Sequence, residues 1–371
     1  MRKVIMIGCD LHDESMLLKV AEGRDEPRTR SVKNTPAGRD RMIRELKKQA
    51  EASDAEIVFA YEASGQGFGL YDQLTDAGIQ CYVLAPTKIA RSQRQRSQKT
   101  DEKDAQQILE LVRAHVLAGN PLPTVWIPDA QTRDDREIVR TRLDVGDKIT
   151  AIKAQVQSLL KRNQLRRPKG LGKGWTRLFW SWLQCDLAEL EQGPLGTGAR
   201  ASLASLLRQL ESLEEERGRL DHELVRLANS PRYLPLVQEV TQLVGVGVLT
   251  AMVFLTELGD VARFTNRRQI GAYLGLVPTS NESGAANDRK GHITRQGSSR
   301  VRRVLCQATW ARVRYDLDEK VIYERIKAKN PKKRKVAVVA AMRRLAVRIW
   351  HRACAVEARA GKPAPALATP G

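Results

Sequence analysis

The first third of the chain shows short apolar runs separated by helical periods. Val4-Ile5-Met6-Ile7 is a continuous apolar stretch closing on Asp10, the pattern of a largely buried strand that ends in an acid. Ser15 to Val20 reads as a second strand and Arg28 to Val32 as a weak third. Pro36 to Ala50 takes the helical period, and Pro36 suits the first turn, where a missing N–H leaves nothing unpaired. Ala55 to Tyr61 is another strand ending in an acid, Glu62. Ser64 to Gly69 is a loop, a helix follows to about Ala77, and Gln80 to Ala85 is a strand closed by Pro86. The next helix runs from about Thr100 to Ala118. Three strands, then alternating helix and strand, predict an α/β unit on a mixed sheet over about 1–125.

The rest of the chain is helical in rhythm. Thr132 is the expected cap of a long helix in which Ile138, Val145, Ile149, Ile152, Val156 and Leu159 alternate at heptad spacing, interrupted by Arg142. Leu203, Leu206, Leu210, Leu213, Leu220, Leu224 and Leu227 repeat the pattern, with Arg217 in the odd slot. Sustained apolar a and d positions predict a central coiled coil over 126–232. It closes either as an antiparallel hairpin within the chain or between protomers. Between the two heptad runs lie Arg166, Arg167, Lys169 and Lys173, interleaved with Trp175, Phe179, Trp180 and Trp182. These aromatics suit stacking on RNA bases and core packing equally.

From Tyr233 the composition changes. Leu243 to Thr250, with Gly245 and Gly247, leads into the apolar helix Ala251 to Leu258 and resembles a helix-hairpin-helix, whose glycine turn sets backbone N–H groups against a phosphate. A helix over Arg267 to Leu274, a loop from Val277 to about Thr294 and a basic helix from Gln296 to Arg314 complete a mostly helical segment, 233–320. A basic helical tail, 321–371, contains Lys332-Lys333-Arg334-Lys335, and its last ten or so residues are expected to be disordered.

Charge narrows the partners. The 371 residues carry a formal net charge of +20, which points to polyanions, nucleic acid first. No run of 18 apolar residues suggests a membrane partner. The five cysteines, Cys9, Cys81, Cys185, Cys306 and Cys354, form no CxxC pair and fit a reducing cytosol. The histidines show no metal-ligand spacing, so no structural zinc site is expected. Gly65-Gln66-Gly67-Phe68-Gly69 lacks the GxGxxG spacing, and no GK[ST] follows a glycine run, so neither NAD nor ATP is expected.

The candidate chemistry lies in four acids. Asp10 and Glu62 end strands, while Asp101 and Asp104 open a helix three residues apart, on one face. Clustered carboxylates repel one another and need a cation, and oxygen ligands favour Mg²⁺ or Mn²⁺. Asp13 is the nearest rival of Asp10, while Asp40 and Glu102 read as solvated. Lys88, Arg91, Arg94, Arg96 and Lys99 precede the acid pair, where a phosphate would approach. The element order of this region matches the ribonuclease H-like fold of RuvC resolvase.

At these residues the chain resembles a family. Asp10 in IGCDLH, Glu62 in YEASG and the acids of KTDEKDA look like the DEDD motif of the insertion-sequence transposases that include the Piv DNA invertases, the IS-one-ten family. LVGVGVLTAMVFLTELGDVARFTNRRQIGAYLGLVP and ESGAANDRKGHITRQGSSRVRRVL are similar to that family's C-terminal transposase domain. The resemblance implies an N-terminal RuvC-like domain binding Mg²⁺ through Asp10, Glu62, Asp101 and Asp104, and a nucleophilic serine in the C-terminal domain. It also implies guidance by a structured noncoding RNA, the bridge RNA, that pairs with target and donor double-stranded DNA. The protein would be bacterial, cytoplasmic and nucleoid-associated, working as a dimer that assembles to a tetramer, with active sites shared between subunits.

Ser283 in Asn281-Glu282-Ser283-Gly284 is the expected nucleophile, ahead of the segment Gly291 to Gly297; Glu282 departs from the small or hydroxyl residue common at that place. Ser280, Ser298 and Ser299 are rivals, the last two better placed as helix caps. Arg289, Lys290, Arg295, Arg300, Arg302 and Arg303 flank Ser283 and are expected on phosphate. Two other functions fit the same residues: a RuvC-like metal-dependent nuclease or resolvase using water, and a nonenzymatic nucleic-acid-binding protein.

Overall fold

The computed structural model describes residues 3–89, 100–188, 193–280, 290–329, 331 and 334–361. The chain divides into two compact units, Met1–Ile127 and Pro128–Gly371.

The first unit is built on one five-stranded sheet. Its strands are β1 (Lys3–Leu11), β2 (Ser15–Glu22), β3 (Arg28–Lys33), β4 (Ala55–Glu62) and β5 (Gln80–Leu84), in the order β3-β2-β1-β4-β5. β1, β2 and β3 pair antiparallel, whereas β4 lies parallel to β1 and β5 parallel to β4. The sheet is mixed, as the element order predicts. Helices α1 (Pro36–Ser53) and α2 (Gly69–Asp76) cover one face, packing Met42, Leu46, Leu70 and Leu74 against Ile5, Ile7, Phe59 and Tyr61. Helix α3 (Asp101–Ala118) covers the other, setting Ile108, Leu109 and Val112 on Met6, Val58 and Ala60. Burial on both faces explains why β1 and β4 read as unbroken apolar runs rather than alternating ones.

Gly8 sets how closely α3 lies on the sheet. A Cβ at this position would stand 2.3 Å from both Ala105 O and Leu109 N, so only glycine admits the helix backbone at this distance. Thr100 caps α3 by accepting from Lys103 N at 3.4 Å, and Gly119 ends the helix in the left-handed region at φ +71°.

In the second unit, α4 (Ala130–Arg162) and α6 (Thr197–Ala228) pack antiparallel against each other within the chain, one of the two pairings the heptads allow. Arg142 pairs with Asp221 at 2.6 Å and Lys153 with Glu214 at 2.8 Å, so one helix descends as the other rises. Asp129, not Thr132, caps α4, accepting from Thr132 N at 2.7 Å. The helix α5 (Arg177–Ser181) and the π-helix Trp182–Ala188 close the hairpin tip. There Phe179 is 1% exposed, and Trp175, Trp180 and Trp182 pack around it with Val156, Leu159 and Leu203. Phe179 takes the packing role, while the three tryptophans that surround it stay partly exposed.

The remaining helices form the main core. They are α7 (Leu234–Val240), α8 (Val248–Leu258), α9 (Arg267–Tyr273), α10 (Ser299–Tyr315), α11 (Leu317–Lys329) and α12 (Arg334–Arg359). Residues Ala251 to Leu258 of α8 are all buried. α7 and α8 do flank a glycine turn, but Gly245 (φ +86°) is spent on packing: its Cβ would stand 2.4 Å from Ala308 O of α10. The segment expected as a tail instead supplies a core helix. In α12, Ile349 and Trp350 are fully buried, and Trp350 Nε1 donates to Val261 O at 3.0 Å. Residues 362–371, expected to be disordered, lie outside the described residues, as do Lys332 and Lys333. The expected loop after Val277 also carries structure: β6 (Pro278–Ser280) pairs antiparallel with β7 (Lys290–Ile293).

Candidate functional site

Strand parity brings the acids to one side of the first unit. Met6 and Gly8 of β1 face α3, so the next residue of that parity is Asp10. Val58 and Ala60 of β4 face the same helix, and Glu62 follows them. The last registered pair is Cys9 with Tyr61, so Asp10 and Glu62 stand one step further on, side by side at the carboxyl ends of parallel neighbours. α3 runs antiparallel to β1, and its first turn carries Asp101 and Asp104. Negative charge is favoured there by the free N–H groups of the helix start. Asp104 is only 8% exposed, Glu62 and Asp10 are half-buried, and Asp101 is open to solvent. Asp13 sits exposed in the bend after β1, away from this parity, and Asp40 and Glu102 are exposed as well.

His12 joins this group, although its spacing suggested no ligand role. Its Nε2 lies 3.0 Å from Asp10 Oδ2 and 3.3 Å from Asp101 Oδ1. The signal was present as Asp10-x-His12: His12 follows directly on the end of β1 at Leu11, where the turn brings it back beside Asp10. Burial raises the Asp10 pKa from its ordinary value; His12 opposes this, and the Asp104 and Asp101 carboxylates add to it. An ion is a natural counter to such mutual repulsion. The donor atoms of Asp10, His12 and Asp101 all lie within 4.8 Å of one another, so the side chains present fit a divalent cation.

Ser283 lies outside the described residues, together with Arg91, Arg94, Arg96, Lys99, Arg289 and the side chain of Lys290. The hairpin β6–β7 flanks Ser283 in sequence, and its base is clamped. Arg302 Nη1 donates to Leu274 O (3.2 Å), Gln296 O (2.9 Å) and Gly297 O (3.1 Å). Gly297 has φ +73°, and a Cβ there would stand 1.9 Å from Tyr273 O. Ser298 caps α10, accepting from Val301 N at 3.4 Å, and Ser299 opens the helix.

The cations expected on nucleic acid divide into two groups. Arg300 and Arg303 form ion pairs with Asp144 and Asp147 of α4, and Arg302 holds the three carbonyls. Charge patterning does not reveal these contacts, and all three side chains keep partial exposure beside them. By contrast, Lys88, Arg166, Lys169, Lys173 and Arg295 are exposed. Arg166, Arg167 and Lys173 line a cavity of about 760 Å³ at the hairpin tip with Lys161, Gln157 and Gln164. Arg167 is braced there, its guanidinium 3.4 Å over the Phe179 ring and its Nη1 donating to Gly172 O at 2.6 Å. Among the described residues no helix is long and apolar enough to cross a membrane.

Known proteins resemble both units. Residues 7–163 match the IS110-type DEDD family model described as "Transposase", and residues 237–324 match the "Transposase IS116/IS110/IS902 family". The chain is 30% identical to the "Putative transposase y4qE" of Sinorhizobium fredii (strain NBRC 101917 / NGR234), over 82% of this chain and 70% of that protein. It is 23% identical to the transposase for insertion sequence element IS1533 of Leptospira borgpetersenii, over 84% and 86%. The transposase for insertion sequence element IS1111A of Coxiella burnetii (strain RSA 493 / Nine Mile phase I) is 26% identical, over 68% and 65%. Both matched models and the coverage of these relatives place this chain in the IS110 family of transposases.

Proposed function

We propose that this transposase cuts and rejoins DNA strands through a covalent serine–DNA intermediate, with Asp10, Glu62, Asp101 and Asp104 as a metal-binding active site in a ribonuclease H-like domain. The observation that carries this is the shared face of Asp10 and Glu62 under the helix that begins with Asp101 and Asp104. The strand order β3-β2-β1-β4-β5 supports the fold assignment. Bound Mg²⁺ or Mn²⁺ would supply Lewis acidity at the scissile phosphate. The acids hold and orient that ion. The Ser283 hydroxyl loses its proton as its Oγ bonds to phosphorus, and the departing deoxyribose oxygen takes up a proton. Rejoining reverses these steps, so the bond energy stays in the serine linkage and no ATP is consumed.

The test is covalent capture. The full-length protein is mixed with target and donor DNA and Mg²⁺, with or without RNA transcribed from the element's flanks, then denatured. The expected result is an RNA-dependent protein–DNA adduct that Ser283→Ala abolishes together with cleavage. If Ser283→Ala cuts as well as the parent, water is the nucleophile and the serine step is wrong.

The guide RNA is proposed to lie on the hairpin tip, where residues 161–185 hold seven Lys and Arg and no Asp or Glu. Arg166→Ala combined with Lys173→Ala should weaken RNA binding. It should also flatten the slope of log K against log salt by about 1.5, since each phosphate contact contributes roughly 0.7 to 0.9. An unchanged slope in a salt titration removes the RNA from this surface. Assembly into dimers and tetramers belongs to the same proposal, and sedimentation of the protein–RNA complex tests it.

A further inference from the structure

We infer that His12 is a ligand of the metal site, making it a mixed nitrogen–oxygen site that selects Mn²⁺ over Mg²⁺. The inference rests on the metal-binding role proposed above for the acids. Geometry carries it. Neighbouring donors on an octahedral ion, each about 2.1 Å from the metal, stand about 3.0 Å apart, and opposite donors about 4.2 Å. His12 Nε2 hydrogen-bonds Asp10 Oδ2 at 3.0 Å and lies 3.3 Å from Asp101 Oδ1, distances that also match adjacent corners of such an ion. The Asp10 and Asp101 donor oxygens lie within 4.8 Å of each other, so one ion reaches all three atoms once the side chains draw in around it.

The backbone holds His12 in place for this role. His12 N donates to Ser15 O at 2.9 Å, closing the turn between β1 and β2. Asn34 Nδ2 donates to His12 O at 2.6 Å, and Arg39 Nε fixes Asn34 by donating to its Oδ1 at 2.6 Å. The imidazole thus extends from an anchored turn onto the two carboxylates.

The donor chemistry selects the ion. Mg²⁺ keeps oxygen ligands and sheds water reluctantly. First-row transition ions accept imidazole readily. Replacing one carboxylate or water by a ring nitrogen therefore favours Mn²⁺. A site of four carboxylates lacks this added preference.

The experiment uses the full-length protein at one neutral pH without nucleic acid, and Mn²⁺ alone as the probe. Pulsed EPR of the Mn²⁺ complex should show nitrogen modulation from a bound imidazole, and His12→Ala should remove it. Titration should show His12→Ala weakening Mn²⁺ by about tenfold or more. Mg²⁺, followed by its competition with Mn²⁺, should weaken by less than about threefold. Absence of nitrogen modulation in the parent overturns the ligand role, and equal weakening of both ions overturns the selection. Asp10→Asn separates the two levels. If Mn²⁺ binds this variant as tightly as the parent, the acid site itself is misassigned. If binding needs Asp10 but shows no nitrogen, only the role of His12 falls.

Discussion

Asp104→Asn should abolish strand cleavage, by about 10³-fold or more, while leaving the protein folded. The replacement is nearly isosteric and removes one charge from the buried end of the acid cluster. A carboxylate-held metal contributes several kcal/mol to phosphoryl chemistry. Each 1.36 kcal/mol is tenfold in rate, so losing one ligand is expected to cost several orders of magnitude. Stability should move little. The variant loses a favourable charge near a helix start, about 0.3 to 1 kcal/mol. It also relieves the repulsion by which Asp104 raises the Asp10 pKa. Cleavage assays on plasmid DNA, paired with thermal melts, read both quantities. Near-parental cleavage by Asp104→Asn would exclude this residue from the site, and cleavage lost together with the fold would leave Asp104 a structural role only.

Gly8→Ala should have the largest effect on the fold of the first unit. The added Cβ would meet Ala105 O and Leu109 N at 2.3 Å and Leu109 Cα at 2.8 Å, all of them backbone atoms that no rotamer change can move. Relief requires α3 to lift from β1, exposing Ile108, Leu109 and Met6. Overpacking of this kind costs typically 1 to 3 kcal/mol, and rigid helix backbone on both sides of the clash sets the expectation at about 3. The same displacement carries Asp101 and Asp104 away from Asp10, so cleavage should fall even below the melting temperature. Gly65→Ala is the control, since nothing lies within 4 Å of a Cβ there. Hydrogen exchange of the full-length variants tests the idea: α3 should lose protection in Gly8→Ala alone. Parental protection in both variants would mean the helix is not held by this contact.

These two expectations separate what is written locally from what is not. The strand ends at Asp10 and Glu62 and the helix start at Asp101 follow from local periodicity, because apolar runs, caps and breakers act over a few residues. Parity along β1 and β4 then places both acids on one face. The heptads of α4 and α6 were equally legible as apolar stripes, but a stripe does not name its partner. The antiparallel packing within the chain is carried by pairs such as Arg142 with Asp221 and Lys153 with Glu214, which lie far apart in the sequence.

His12 shows the same division at the site. Its spacing from Asp10 was visible in the sequence. Its approach to Asp101 was not, since 89 residues separate them and the contact exists only because Gly8 lets α3 close on the sheet. The arginines of α10 were legible as cations but their partners within the chain were not: Arg300 and Arg303 pair with carboxylates more than 150 residues away, and Arg302 donates to carbonyls. The sequence by itself determined which elements form and which faces are apolar, because both follow from neighbours three or four places away. Only the tertiary structure decided which cation stays exposed, which aromatic fills a core and which histidine joins the acids, because those partners lie far along the chain and meet through packing.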